Sequence, residues 1–274
     1  MFITLALALA LAQQSTFVTA ASSGCPADGP ISCQSSGAAS CCLENPGGLI
    51  LQTQFWDTNP STGPDNSWTV HGLWPDNCDG TFLENCDSSR DYKGISSLLE
   101  AAGASSTLNF MNTFWVNLPS DGTNEEFWEH EWATHGTCYN TLLPSCFSDY
   151  QTGAEAVAFF QTVQRVFEVL PTYNWLASAG ITPDSSATHT RDELQSALRE
   201  AAGVTPELEC NGNDLNAVYW FFNLQGSVVD GKFIPIDAPA SSQRGGNCPT
   251  SGILYQPKGS SGFQGSTRRA EDEL

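Results

Sequence analysis

Basic residues are scarce in this 274-residue chain: 10 Lys plus Arg stand against 30 Asp plus Glu, a formal net charge of −20 at pH 7. No basic run occurs apart from Arg268-Arg269. A nucleic-acid partner usually calls for a basic footprint, so charge taken alone argues against one. Such acidity suits an extracellular protein working in acid, where many carboxylates are neutral. After the first 20 residues no stretch approaches 18 apolar residues, which excludes a transmembrane helix as an expectation. Paired C-x-x-C motifs are absent, so the cysteines do not read as a zinc site. There is no N-x-[ST] sequon, and N-glycosylation is not expected. No internal repeat is found. Histidine is rare as well, at four residues.

What is present begins with an apolar run, Phe2 to Ala12, followed by Val18-Thr19-Ala20, a small-residue cleavage site. Residues 1–20 therefore read as a secretory signal. Removing 20 of the 274 residues leaves 254, enough for a substantial core. All ten cysteines follow the signal, which favours an oxidised framework of up to five disulfides. Residues 21–255 form the expected main domain. From 256 to 274 the chain is Gly/Ser-rich and then charged, and reads as a flexible tail. Its terminal Glu-Asp-Glu-Leu faintly resembles an endoplasmic-reticulum retention signal with the wrong leading residue. Secretion is the expected localisation, with vacuolar or endoplasmic-reticulum residence as the alternative.

Strand patterns occur at 48–56, 67–70, 217–224 and 232–236, the last two resembling an antiparallel pair. Helical patterns occupy 93–102, 105–115, 153–170 and 191–202. Strands early, helices in the middle and strands late predict an α+β domain, a central antiparallel sheet with helices packed on one side.

The segment Phe127-Trp-Glu-His-Glu-Trp-Ala-Thr-His-Gly-Thr-Cys138 organises the chemistry. Thr123 and Glu126 have capping-box spacing, so a helix can start there, and Gly136 suits a left-handed stop. Phe127, His130, Glu131 and Thr134 fall on one face with His135 beside them, while Trp128 and Trp132 point elsewhere, into the core. Two of four histidines in six residues favour a functional face over a merely solvated one. His71-Gly-Leu-Trp-Pro-Asp76 is the second constellation: a histidine at a strand end, a tight turn at Gly72, and an aromatic pushed out of helical geometry by Pro75.

Together these two segments resemble the signatures of the ribonuclease T2 family, secreted acid endoribonucleases, in its fungal type. They stand here as Val70-His71-Gly72-Leu73-Trp74-Pro75 and His130-Glu131-Trp132-Ala133-Thr134-His135-Gly136-Thr137-Cys138, and the likeness extends over roughly residues 25–250. One departure is Thr134, where the family carries lysine. The resemblance implies disulfides Cys25–Cys42, Cys33–Cys78, Cys41–Cys146, Cys86–Cys138 and Cys210–Cys248; spacing alone leaves the connectivity open. It further implies that His71 and His135 are the acid–base pair, that His130 holds the phosphate and that Glu131 supports the transition state. Trp74, Asp76 and Phe82 would form a first base site, and Gln54, Pro119, Ser120 and Phe127 a second. The expected substrate is single-stranded RNA, cut with broad base tolerance because every base offers a π-face. No cofactor, metal or membrane is expected, and the chain is expected to be a monomer.

Two rivals remain. His130-Glu131 begins like the H-E-x-x-H of zinc hydrolases, but the next histidine comes at i+5, about 140° around a helix, where two helix-borne ligands would diverge. A non-catalytic secreted protein on the same scaffold is the other, with Thr134 its only support.

Overall fold

The computed structural model describes residues 24–240, 242 and 246–259. The expected signal, and the tail from residue 260, lie outside the described residues. The elements are β1 (Leu49–Phe55), β2 (Thr69–Asp76), α1 (Ile95–Ala101), α2 (Ser105–Phe114), α3 (Asn124–Thr134), α4 (Ala154–Glu168), α5 (Thr172–Ser178), β3 (Thr188–Thr190), α6 (Arg191–Ala202), β4 (Glu207–Asn211), β5 (Asp214–Gln225), β6 (Lys232–Ile236) and β7 (Ser251–Leu254). The α+β class is therefore as expected. The sequence patterns had not singled out α5 or the short strands β3, β4 and β7.

β5 is the spine of the sheet. Its residues 217–223 pair with β1, while β4 and β6 share its other edge, one half each. β2 adds to the far side of β1, giving the order β2-β1-β5-β7-β3. All strand pairings are antiparallel except one parallel bridge between Asp214 and Leu254. The near-continuous apolar run Ala217–Leu224 follows from this position, since β5 is buried on both faces. Alternate residues go opposite ways. Ile50, Val218, Trp220 and Phe222 join the helix-side core, with Trp128, Trp132, Phe159 and Phe160 packed over them. Leu49, Leu51, Phe55, Trp74, Ala217, Tyr219 and Phe221 form a second cluster on the other face.

α3 is held at three points. Its capping box forms as the sequence predicts: Glu126 N donates to Thr123 Oγ1 at 3.2 Å and Thr123 N to Glu126 Oε2 at 2.8 Å. Its indoles reach into the core and donate, Trp128 Nε1 to Trp115 O at 2.8 Å and Trp132 Nε1 to Arg90 O at 2.6 Å. Its acidic face binds the start of α1, where Glu129 accepts from Gly94 N and pairs with Lys93. The helix ends differently from expectation. Gly136 does not take a left-handed conformation but opens a 3-10 turn, Gly136–Cys138. A Cβ there would run into the ring of Trp132, so close packing is what requires glycine.

All five disulfides implied by the resemblance are formed, with Cα–Cα distances from 4.8 to 5.4 Å. Three of them staple the irregular segment 24–48, which has few backbone pairs of its own. The expectation of a flexible tail from 256 is corrected for its first four residues. Trp56 Nε1 donates to Gln256 O at 2.7 Å, and Lys258 Nζ donates to the carbonyls of Thr62, Pro64 and Ser67. Lys258 also lies 4.6 Å from the Trp56 ring centroid, so one ammonium closes the 57–67 loop.

Segment 24–48 carries a buried acid. Glu44 is 1 % exposed, and its two oxygens accept from Asn140 N at 2.8 Å and Thr141 N at 3.0 Å. Burial raises its carboxyl from 4.5 to about 7, against the opposing pull of those two N–H groups. A raised folded-state pKa means the native state takes up a proton that the unfolded state does not. The stabilisation is then complete below pH 4.5 and is lost as pH rises through about 7. The shift corresponds to about 3 kcal/mol. Thermal melts across this window should show wild type losing stability towards neutrality more steeply than Glu44→Gln. Parallel curves for the two proteins would refute the assignment.

Candidate active site

β2 brings the first histidine to the site through an irregularity. Thr53 pairs with Gly72 and Gln54 with Val70, so His71 is an extra residue in β2, outside the paired register. Such a bulge breaks strict alternation and re-aims its side chain. The histidine is thus inside a strand of eight residues, not at a strand end as the sequence suggested. Thr53 holds the bulge from across the strands, its Oγ1 accepting from Gly72 N at 3.1 Å.

α3 supplies the rest. Glu131 is fully buried, and its Oε1 lies 3.4 Å from His71 Nε2, an ion pair when that imidazole is protonated. Its other oxygen, Oε2, accepts from Trp74 Nε1 at 3.0 Å. His135 stacks on the Trp74 ring at 4.8 Å between centroids and 26° between planes. His130 stands edge-on to His135 at 6.3 Å, with Thr134 Oγ1 3.3 Å from its Nδ1. Around His71 three rings gather: Phe55 stacked at 4.1 Å, Trp74 edge-on at 4.7 Å and Phe127 tilted at 5.9 Å. The structure therefore assembles three histidines about one buried carboxylate, with two residues of one motif touching two of the other. The fourth histidine, His189, sits on β3 beside Glu193.

Comparison with known proteins agrees with both motifs: the sequence matches the Ribonuclease T2 family over residues 47–232. The chain belongs to that family. Ribonuclease Le2 of Lentinula edodes is 62% identical over 238 residues, which cover 86% of this chain and 98% of that relative. Ribonuclease T2 of Aspergillus oryzae is 48% identical over 237 residues, 85% of this chain and 84% of the relative. Among solved structures, that of Actibind, described as a T2 ribonuclease, superposes with a TM-score of 0.81 at 45% identity, covering 85% of this chain and 98% of the other. Human RNase T2, at 21% identity and a TM-score of 0.55, shares the fold. The present chain is an endoribonuclease of the T2 type.

Within this T2 ribonuclease the sequence-based base sites need correction. Trp74 is 1 % exposed, and Asp76 is equally buried. Pro75 does impose an extended conformation on Trp74, but that conformation is a β-strand, in register with Leu51, and not an extruded turn. Its ring lies in the outer-face cluster and its N–H serves Glu131, so here Trp74 positions the carboxylate and offers no open face for a base. Phe82 is half-buried.

Gln54, expected at a second base site, does not join the histidine cluster. It points to the helix side, fully buried, where its amide donates to Gln52 Oε1 and Leu170 O and accepts from Thr172 Oγ1. The next residue, Phe55, is the one that meets His71, a contact that one-residue strand alternation makes and the sequence reading missed. Phe127 does reach the site, while Pro119 and Ser120 lie exposed on the turn before α3.

The expected divergence of His130 and His135 also fails. His135 is the C-cap of α3, already off the regular helix, and one donor atom each from His130, Glu131 and His135 fall within 4.8 Å of one another. A cluster of two imidazoles and a carboxylate is chemically able to hold a divalent ion. Helical rotation therefore does not argue against metal binding here.

Proposed function

We propose that this T2 ribonuclease is secreted and cleaves single-stranded RNA as a monomer, by acid–base transphosphorylation and without a metal. The observation that carries this reading is the placing of the Glu131 carboxylate within 3.4 Å of His71 and within 4.8 Å of ring nitrogens of His130 and His135. RNA brings its own nucleophile, the 2′-hydroxyl, so the protein needs only proton transfer and charge stabilisation. One imidazole of the His71/His135 pair takes the 2′ proton while the other protonates the departing 5′ oxygen, producing a 2′,3′-cyclic phosphate. With the roles exchanged, water then opens it to a 3′-phosphate. His130 contacts the phosphate, and Glu131 keeps an imidazolium in place as charge builds on the phosphoryl oxygens. Phe82, Phe127, Pro119 and Ser120 border the path of the bases, where stacking is tolerant of base identity.

The disulfide framework and the N-terminal apolar run support an oxidising, extracellular destination. No helix among the described residues is long and apolar enough to cross a membrane. The charge of −20 fits a substrate-binding step that strengthens as pH falls and carboxylates titrate.

The deciding experiment measures cleavage of a dinucleoside phosphate by the purified protein from about pH 4 to about pH 8, with and without a strong chelator. The expected result is a bell with an acidic maximum, a transient 2′,3′-cyclic phosphate and rates unmoved by the chelator. Activity that climbs steadily to the alkaline end would remove the two-imidazole mechanism. Loss of activity on chelation, restored by a divalent cation, would favour the metal reading that the His130–Glu131–His135 cluster permits.

A further inference from the structure

His71 poses a positioning problem that its own strand does not solve. As the extra residue of a bulge, it falls outside the regular register with β1, so alternation along β2 does not by itself set the direction of its side chain. Yet proton transfer demands that its ring nitrogen stay within hydrogen-bond reach of a reacting oxygen. The structure meets this with rings. Phe55, in the last position of β1, lies against one face of the imidazole at 4.1 Å and 24° from parallel. Trp74 closes on it edge-on and Phe127 from the side, so the Phe55 face is the flat wall of the enclosure. Phe55 is itself fixed by backbone on both sides, paired with Thr69 and Ala217, and its carbonyl accepts from Thr69 Oγ1.

We propose that Phe55 is a positioning residue for catalysis, a platform that sets the plane of the His71 ring and favours its protonated form. The inference rests on the acid–base role of His71. The physical case has two parts. A parallel wall confines the ring to sliding in its own plane, which keeps Nε2 aligned with the Glu131 carboxylate 3.4 Å away. An aromatic face also carries the negative side of its quadrupole towards the imidazole, so stacking stabilises imidazolium over neutral imidazole. An aliphatic side chain of similar volume would exclude water equally well and supply neither effect. The other titratable groups of the assembly are Glu131 on α3, with His130 one residue before it and His135 at its C-cap, and Phe55 belongs to none of their elements.

The test compares wild type with Phe55→Leu, Phe55→Tyr and His71→Phe on a dinucleoside phosphate, with melting curves and NMR titration of the His71 ring. Phe55→Leu should lower kcat about tenfold with KM within about twofold, and should move the His71 titration towards acid by about half a unit. Phe55→Tyr keeps the π-face and should recover most of the loss in kcat and in titration. A Phe55→Leu protein that is folded at the assay temperature with wild-type kcat and titration overturns the proposal. So does a folded Phe55→Tyr as impaired as Phe55→Leu, because the ring would then be immaterial. His71→Phe separates the two levels: retained activity there refutes the role of His71 itself, whereas lost activity there with an unaffected Phe55→Leu refutes only the platform.

Discussion

Replacing His135 by Phe is expected to abolish measurable turnover, a loss on the order of 10³-fold in kcat, and His71→Phe should do the same. The substitution keeps a ring of similar shape in each place, so the stacking of residue 135 on Trp74 and of residue 71 on Phe55 should survive. Both side chains are buried, and Phe introduces no polar atom in need of a partner. The melting temperature of His135→Phe should therefore stay close to wild type, whereas His71→Phe, which takes a neighbour from the buried Glu131 carboxylate, should melt lower while still folding. The double replacement should cost little more than either single one if, as proposed, the two imidazoles act in one concerted exchange. Turnover near wild type in either folded variant would show that the base or the acid lies elsewhere.

A methyl group at Gly72 should be nearly as damaging. A Cβ built on Gly72 collides with Glu131 Oε2 and with Trp74 Nε1, the two atoms joined by the hydrogen bond that holds the carboxylate. Neither can yield freely, because Glu131 and Trp74 are buried and tied to α3 and β2. Gly72→Ala must push Glu131 away from His71 or flatten the bulge. We expect kcat to fall at least about 100-fold and stability by about 1–3 kcal/mol, the usual range for overpacking. Kinetics and denaturant melts on the same preparation check both. A variant with more than half the wild-type kcat would mean that the Glu131 position is not critical to the reaction.

Thr134 illustrates how far a motif carries before geometry is known. It occupies the family's lysine position, and in the structure its hydroxyl lies 3.3 Å from His130 Nδ1. A neutral hydroxyl thus lies beside the imidazole where a lysine would bring a positive charge. Trp74 illustrates the converse. Its place in the motif suggested a base platform, but it is buried and its indole N–H is given to the Glu131 carboxylate.

Local signals in the sequence were sufficient wherever the determining partner is a near neighbour in the chain. The capping box at Thr123 and Glu126, the inward indoles of Trp128 and Trp132, and the strand pattern of 217–224 all depend on spacings of a few residues. The members of the candidate site were legible for the same reason, since three histidines, a glutamate and their glycines are written within two short segments. What the tertiary structure alone decided is which way strand residues face and which groups close the site. Strand alternation has a period of two, so one extra residue reverses every assignment beyond it, and whether β2 bulges at His71 depends on its pairing with Thr53 and Gln54 of another strand. With that shift Trp74 lies on the outer face beside Leu51 and Phe55, Phe55 rather than Gln54 stacks on the histidine, and residues from β2 and α3 meet at one buried carboxylate.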